Sequence, residues 1–223
     1  MIELIGINKY FSYRKNNITA LQNIDLKIDS GELVAITGPS GSGKSTLLNI
    51  IGGILKPSSG TYLYDGDPIG DTETQMAQFR NTYVSFILQN MALIPNRTVF
   101  YNIALPLQYQ RIEKSSIKQM VLEISESLGI ADKLDLYPHL LSGGECQRVA
   151  VARAVVSNPK MILADEPTSS LDGENKYEVV QRLQKLNERG ITVLIATHDE
   201  IVIQNCNRNV VLQQGKIIKD DEV

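Results

Sequence analysis

The sequence predicts an α/β fold with antiparallel strands at one edge and an inserted helical region. Residues 33–37, 161–164 and 191–196 form short, almost wholly apolar runs, which are typical of strands buried on both faces of a sheet. Helical periodicity follows the first run, and longer segments with helix-forming composition separate it from the other two. Because strands joined through helices pair in parallel, we expect these three strands in one parallel sheet.

The other elements are assigned from turn signals and helical periodicity. Strands are expected at the N-terminus, Asp65–Gly66 predicts a hairpin turn, and residues 89–158 read as mainly helical. We therefore expect a single domain over residues 1–223. Residues 1–88 and 159–223 would form its core with the β edge, and residues 89–158 its helical subdomain.

Composition excludes several classes of protein. Of 223 residues, 43% are hydrophobic and 21% charged, which are ordinary values for a globular chain. The net charge of −3 predicts no general affinity for nucleic acid. The apolar run at residues 47–55 is about half the length needed to span a bilayer. Cys146 and Cys206 have no metal-site spacing and are expected to be free thiols in a reducing cytosol.

A phosphate-binding loop lies between the first buried strand and a helical pattern. Its residues, with the spacing G-x-x-x-x-G-K-[ST], are Gly38, Pro39, Ser40, Gly41, Ser42, Gly43, Lys44 and Ser45, followed by Thr46. Glycines let backbone N–H groups converge on phosphate oxygens, and the helix directs its positive end at the same charge. Lys44 supplies a mobile cation, and the Ser45 hydroxyl is a hard oxygen ligand for Mg²⁺.

Polar side chains follow the other two buried strands. Asp165 and Glu166 end the second run, and His198 follows the third. Ligands of open parallel sheets bind at the carboxyl ends of the strands, so these side chains are expected beside the phosphate loop. Asp165 would hold the metal, Glu166 would orient or deprotonate an attacking water, and His198 would hold that water in line.

The segment "LSGGE", residues 141–145, has two features. Ser142 and Glu145 have the spacing of a capping box, which predicts that a helix begins here. A cap does not need Gly143 or Gly144, and glycine in a first helical turn costs stability. Bare backbone at a helix N-terminus suits the close approach of an anion.

Over essentially its whole length, the chain resembles an ABC transporter ATP-binding subunit. The resemblance lies in the order and spacing of six features: "GPSGSGKST", Gln89, "LSGGE", "LADEP", "SSLD" and "THD". The resemblance implies a P-loop NTPase (RecA-like) core that binds ATP and Mg²⁺ and hydrolyses ATP. It makes Gln89 a ligand of Mg²⁺ and water, and Asp172 a residue that communicates between subunits, although Asp172 could equally cap a helix. It places an aromatic residue on adenine, with Phe11 favoured and Tyr10 and Tyr13 as alternatives.

The resemblance also implies a second copy of the chain. Ser142, Gly143, Gly144 and Glu145 would complete the nucleotide site of the partner in a head-to-tail homodimer that encloses two ATP molecules. The resemblance implies a transmembrane permease as partner, expected to be a separate polypeptide, which would place this otherwise soluble subunit at the cytoplasmic face of the membrane. We expect residues 94–109 to contact it.

One branch of the family is the most similar: the ATPases of exporters of macrolides, lipoproteins and antimicrobial peptides, and of a cell-division complex. The spacing of Pro95, Thr98, Asn102, Pro106 and Leu107 carries this resemblance. Three departures are Ser169–Ser170, Tyr101, and Cys146 in the first turn of the "LSGGE" helix. Because a helix N-terminus lowers thiol pKa, we expect alkylation of Cys146 to impair activity.

Alternatives to a transport motor remain. A mechanical regulator that moves an extracytoplasmic partner without carrying cargo would use the same residues. A soluble ABC ATPase acting on DNA or ribosomes is disfavoured, because the chain has neither a long coiled-coil insert nor a second cassette. A simple P-loop kinase would have no use for "LSGGE".

Overall fold

The computed structural model describes residues 1–13, 16–88, 90–169 and 173–223. The strands are β1 (Ile2–Tyr13), β2 (Asn16–Ile28), β3 (Leu33–Thr37), β4 (Ser59–Tyr64), β5 (Asp67–Pro68), β6 (Val84–Leu88), β7 (Met161–Asp165), β8 (Thr192–Ala196), β9 (Arg208–Gln213) and β10 (Lys216–Glu222). The α-helices are α1 (Lys44–Ile51), α2 (Glu73–Tyr83), α3 (Val99–Tyr109), α4 (Lys114–Ser127), α5 (Gly143–Val155), α6 (Gly173–Asn187) and α7 (Glu200–Ile203).

Two sheets form the core. The larger one has the strand order β10-β9-β3-β8-β7-β6, in which all neighbours are parallel except β9 and β10. The smaller one, β2-β1-β4-β5, is antiparallel throughout. The predicted α/β fold with an antiparallel edge is therefore confirmed, and the three predicted strands β3, β8 and β7 are adjacent at the centre of the larger sheet.

The central strands of the larger sheet are covered on both faces. Every residue of β3 and of β8 is buried, as is expected for parallel strands covered on both faces. One face packs with α1 against the smaller sheet, and the other packs against α5 and α6. The predicted hairpin is also present, because Tyr64 pairs with Asp67 across Asp65 and Gly66.

The region between β6 and β7 has an apolar core of its own. Residues of α3, α4 and α5 form this cluster, which includes Ile103, Val121 and Val149. Helix α5 belongs to two cores at once, since its Val151 and Ala154 pack against the larger sheet. In the described part of the chain, no helix is both long and apolar enough to cross a membrane.

Candidate nucleotide site

The carboxyl ends of β3, β7 and β8 open into one cleft of about 680 Å³. The residues that line it are Ile18, Thr19, Ala20, Gly38, Pro39, Ser40, Gly41, Ser42, Gly43, Lys44, Ser45, Thr46, Asp165, Glu166 and His198. The structure thus brings the whole predicted phosphate loop together with the three polar residues predicted from the other strand ends. Parallel pairing of β3 with β8 and of β8 with β7 is the cause.

Glycine is required at two positions of the phosphate loop by close packing as well as by backbone conformation. Gly38 has a φ of 140°, and a Cβ there would lie 2.0 Å from the carbonyl oxygen of Leu212. Gly43 has a φ of 108° and precedes α1, and a Cβ there would lie 2.7 Å from the carbonyl oxygen of Ala20. The loop is therefore held against β2 and β9, while its open side faces the cleft.

Two polar groups of this loop suit an anionic ligand. The Lys44 ammonium donates to the carbonyl oxygens of Gly38 (2.8 Å) and Pro39 (3.2 Å), so it lies folded over the loop. The Ser42 hydroxyl is buried, and in the part of the chain that the structure describes it has no hydrogen-bond partner. A buried, unpaired hydroxyl is costly, and a phosphate oxygen would satisfy it.

Glu166 and His198 are in direct contact. Glu166 Oε1 lies 2.8 Å from His198 Nδ1, and the His198 side chain is 72% exposed whereas that of Glu166 is 16% exposed. Glu166 Oε2 is buried and has no hydrogen-bond partner among the described residues. One carboxylate oxygen is thus held by the histidine, and the other is unsatisfied beside the cleft that Glu166 helps to line.

The backbone around these residues is held firmly. Glu166 has a φ of 48°, and its N–H donates to the carbonyl oxygen of Ala196 on β8 (2.9 Å). Asp199, one residue beyond His198, accepts from Thr168 and Ile201 and pairs with Lys176. Burial alone would raise the pKa of the Asp199 carboxyl, but these hydrogen bonds from Lys176, Ile201 and Thr168 outweigh it and lower that pKa.

The residues predicted for Mg²⁺ fit the ion in part. Asp165 ends β7 and lines the cleft together with Ser45. Within the described residues, no three acidic, histidine or cysteine side chains form a metal cluster. The Ser45 hydroxyl and the Asp165 carboxylate are hard oxygen donors, which suit Mg²⁺, an ion that takes few protein ligands and completes its shell with water and phosphate oxygens. Gln89 and Asp172 lie outside the described residues.

The predicted adenine contact has a less direct basis in the structure. Phe11 is 40% exposed and is the direct partner of Ile18 on β2, which lines the cleft. The Lys9 ammonium lies 5.3 Å from the centre of its ring. Phe11 therefore lies beside the cleft rather than in its wall. Of the two alternatives, Tyr10 is also exposed, and the side chain of Tyr13 is not described. The prediction overlooked Ile18, Thr19 and Ala20, which carry no sequence motif.

The capping box at the start of α5 is confirmed. Glu145 N–H donates to Ser142 Oγ (3.3 Å), and Glu145 Oε2 accepts from the Ser142 N–H (2.8 Å). Hydrogen bonds from the Ser142 backbone and hydroxyl lower the pKa of Glu145. A Cβ on Gly143 would meet nothing within 4 Å, and one on Gly144 would meet only Arg148 at 3.8 Å. Neither glycine has a positive φ or lines the cleft, so nothing described in this chain requires them.

The expectation for the pKa of Cys146 is wrong. Burial and the adjacent Glu145 carboxylate raise the thiol pKa, although the residue lies in the first turn of α5. Its Sγ lies within hydrogen-bonding distance of the Pro138 carbonyl oxygen (3.4 Å). Desolvation and a neighbouring negative charge both disfavour the thiolate, which a position in the first turn of a helix does not reveal.

The residues that carry the branch resemblance are mostly structural. Thr98 caps α3, and the fully buried Asn102 bonds to the backbone of Ile94, Arg97 and Thr98. Leu107 lies in the core of the helical region. Their spacing therefore specifies how the loop before α3 packs onto that helix.

Comparison with known proteins agrees with the geometry. Residues 21–169 match the family model described as ABC transporter. The chain is 39% identical to a macrolide export ATP-binding/permease protein MacB of Bdellovibrio bacteriovorus, over 100% of the chain but 34% of that protein. It is also 39% identical to a methionine import ATP-binding protein, MetN 3 of Pectobacterium atrosepticum, over 100% of the chain and 66% of that protein.

A solved structure is similar throughout. The dimeric post-hydrolysis ATP-binding cassette MJ0796, bound to ADP and Pi, superposes with a TM-score of 0.92 at 36% identity, and the match covers 100% of this chain and 98% of that one. The family model, the relatives and the solved structure all point to one family. The chain belongs to the ABC transporter family and is an ATP-binding, ATP-hydrolysing cassette of that family.

Proposed function

We propose that two copies of this chain associate head to tail around two ATP molecules with Mg²⁺ and thereby drive a separate transmembrane permease. The observation that carries this proposal is the start of α5, where Gly143 and Gly144 leave backbone open although neither packing nor backbone conformation requires glycine. This helix end lies outside the wall of its own cleft. The dimeric MJ0796 cassette, which has the same fold, supports the association.

Backbone and side-chain groups of the cleft have separate roles in the proposed reaction. The backbone N–H groups of residues 38–46, other than Pro39, which has none, bind the phosphates together with the Lys44 ammonium. Ser45 and Asp165 would hold Mg²⁺, which when bound neutralises charge developing on the phosphate oxygens. From the partner, the Ser142 hydroxyl and the Gly144 N–H would contact the terminal phosphate.

Glu166 and His198 form the catalytic pair of this proposal. Glu166 accepts a hydrogen bond from the attacking water and takes its proton, while the water oxygen bonds to the terminal phosphorus and the bond from that phosphorus to the bridging oxygen breaks to release ADP. His198 holds the carboxylate through Oε1, and this contact fixes the orientation of Oε2. Because His198 is exposed, it is also accessible to the terminal phosphate.

An apolar groove favours the predicted permease contact. A cavity of about 690 Å³ lies between the larger sheet and the helical region, and residues from both regions line it. Phe86, Leu105, Pro106 and Tyr109 contribute to its wall, and Tyr109 is 69% exposed. We propose that a permease segment occupies this groove and that residues 89–158 act as one helical subdomain. This contact would place the subunit at the cytoplasmic face of the membrane.

The proposed direction is export. Its support is the resemblance to the macrolide exporter branch, together with the match to MacB. The equally similar methionine import protein shows that overall identity alone does not set the direction. Reconstitution with the genomically adjacent permease in inside-out vesicles tests it, because an exporter accumulates substrate in the vesicle lumen only when ATP is added outside.

Glu166→Gln tests the ATPase and the dimer together. The amide keeps the side-chain shape but cannot take the proton, so turnover should fall by ~10²–10⁴ while ATP binding persists. Without hydrolysis, the variant should elute as a dimer in ATP and as a monomer in ADP. Lys44→Ala is the control, since it should bind ATP weakly and stay monomeric. Undiminished turnover in Glu166→Gln would remove Glu166 from its role, and a monomer saturated with ATP would refute the dimer.

A further inference from the structure

Arg153, in the last turn of α5, holds the loop that follows β6. Its guanidinium donates from Nη2 to the carbonyl oxygen of Met91 (2.6 Å) and from Nη1 to that of Ala92 (2.7 Å). Met91 and Ala92 are 62 and 61 positions away in the sequence. A planar guanidinium can reach two adjacent acceptors at once, which a lysine ammonium does less well.

Both acceptors belong to residues in a costly backbone conformation. Met91 has a φ of 58° and Ala92 a φ of 42°, and neither is glycine. They are the only two consecutive non-glycine residues with positive φ in the described ranges. Such conformations persist only where surrounding contacts hold them, and Arg153 contacts the carbonyl groups of both residues.

Arg153 is not placed there to neutralise a carboxylate. No acidic oxygen of the described residues lies within ion-pair distance of it. Burial lowers the pKa of its guanidinium, so the charge is kept at a cost in solvation. The two carbonyl dipoles are its described partners, and the arrangement therefore favours one particular loop conformation.

We propose that Arg153 is a positioning residue that couples the movement of α5 to the loop 90–92. Helix α5 is 13 residues long and begins at Gly143, so Arg153 lies roughly 15 Å along the axis from the end that would meet the partner's ATP. Arg153 and Ala92 both line the apolar groove described above. A shift of α5 on ATP binding would thus move the loop next to Gln89 and one wall of the groove together. This inference rests on the proposed function, since it assumes that ATP brings a partner against α5.

Arg153→Met and Arg153→Lys test the coupling, with Arg189→Met as an exposed control. In Arg153→Met, loss of two charge-assisted hydrogen bonds should speed amide hydrogen exchange of residues 90–97 by about tenfold or more. We expect kcat to fall about tenfold while KM for ATP changes less than about twofold, because the phosphate loop is untouched. Arg153→Lys should be intermediate, and Arg189→Met should match the parent in both measurements.

A suppressor separates loop positioning from general destabilisation. Adding Ala92→Gly to Arg153→Met removes the steric cost of the left-handed conformation at that residue, so part of kcat should return. Unchanged exchange in the loop or unchanged kcat in folded Arg153→Met, or a fall confined to KM, would overturn the proposal. Failure of the proposed function is distinguishable, because Glu166→Gln would then remain monomeric in ATP with Arg153 intact.

Discussion

Glu166 combines a left-handed backbone conformation with a side chain held at only one of its two oxygens. A φ of 48° is uncommon outside glycine, and the N–H bond to Ala196 on the neighbouring strand helps to hold it. His198, from the end of that same strand, fixes Oε1. The buried, unpaired Oε2 therefore results from the pairing of β7 with β8 as much as from the residue itself.

At this scale, sequence reasoning found the side chains that follow buried strands. Asp165, Glu166 and His198 could be predicted from the sequence, because parallel strands bring their carboxyl ends together. Ile18, Thr19 and Ala20 could not be predicted as site residues. They reach the cleft through the antiparallel pairing of β1 with β2, and this pairing has no local signal in the sequence. The pKa of Cys146 also depends on packing and on the charge of Glu145, which a position in a helix cannot convey.

The pH dependence of alkylation tests the raised pKa values of the Cys146 and Cys206 thiols. Burial raises the pKa of Cys206 to about 12, and burial with the Glu145 charge raises that of Cys146. Because the thiolate is the reacting form, a raised pKa means slower alkylation at pH 8 than for a free thiol, with a rate that still climbs as pH rises further. Iodoacetamide labelling followed by mass spectrometry should show Cys146 slow and Cys206 slower still.

Modification of Cys146, once verified, should still impair ATPase activity, because the residue adjoins the start of α5. Cys146→Ala treated with the same reagent is the control and should keep its rate. Full activity after complete labelling would contradict the expectation. Labelling faster than that of glutathione would show that the helix N-terminus, and not burial, governs this thiol.

At the scale of elements, the central strands could be predicted almost to the residue, whereas α2 was missed. The strands β3, β7 and β8 are continuous apolar runs because both of their faces are buried. Helix α2 buries only Met76 and Phe79, so its apolar face is too sparse to stand out, although Thr72 and Gln75 form a capping box. The separate antiparallel sheet was predicted only as an edge, since pairing between β1 and β4 joins distant parts of the chain.

The start of α5 gives a prediction in which stability and function change in opposite directions. Gly144→Ala places a Cβ near only Arg148 at 3.8 Å, and alanine costs less conformational entropy in a helix than glycine does. Thermal or urea unfolding should therefore show the variant more stable by about 0.4–1 kcal/mol. In the Glu166→Gln background, its ATP-dependent dimer should weaken, because the methyl group occupies the surface offered to the partner's nucleotide.

Ser115→Ala, in the first turn of α4, is the matched control for Gly144→Ala. Within the described ranges its side chain bonds only to that of the exposed Glu113, so neither stability nor dimerisation should change much. If Gly144→Ala destabilised the chain, the open environment described for that glycine would be wrong. If it dimerised as tightly as the parent, close approach of an anion to this backbone would be refuted.

At the scale of the whole molecule, the cleft and the start of α5 lie apart within one copy of the chain. The cleft holds the phosphate loop, Asp165, Glu166 and His198, but none of residues 142–145 lines it. Helix α5 nevertheless packs in both cores, and the buried Gln147 donates to the carbonyl oxygen of Pro167, next to Glu166. A partner that meets α5 would therefore act on an element joined to both the sheet and the helical region.

A mixing experiment decides whether the two halves meet between copies. Lys44→Ala disables the phosphate loop but leaves α5 intact. Ser142→Asp keeps a side chain that can cap the helix, while its charge should repel a triphosphate. Each variant alone should be nearly inactive, because every site of either homodimer contains one disabled half.

In a head-to-tail mixture, one of the two sites in the mixed dimer combines the intact loop of one copy with the intact α5 of the other. ATPase activity should then return in part, because only mixed dimers contain a working site and each of them has one. Ser142→Asn, which caps without charge, should be far less impaired than Ser142→Asp. If each copy used its own α5, both components would stay inactive however they were mixed, and the proposed dimer would be wrong.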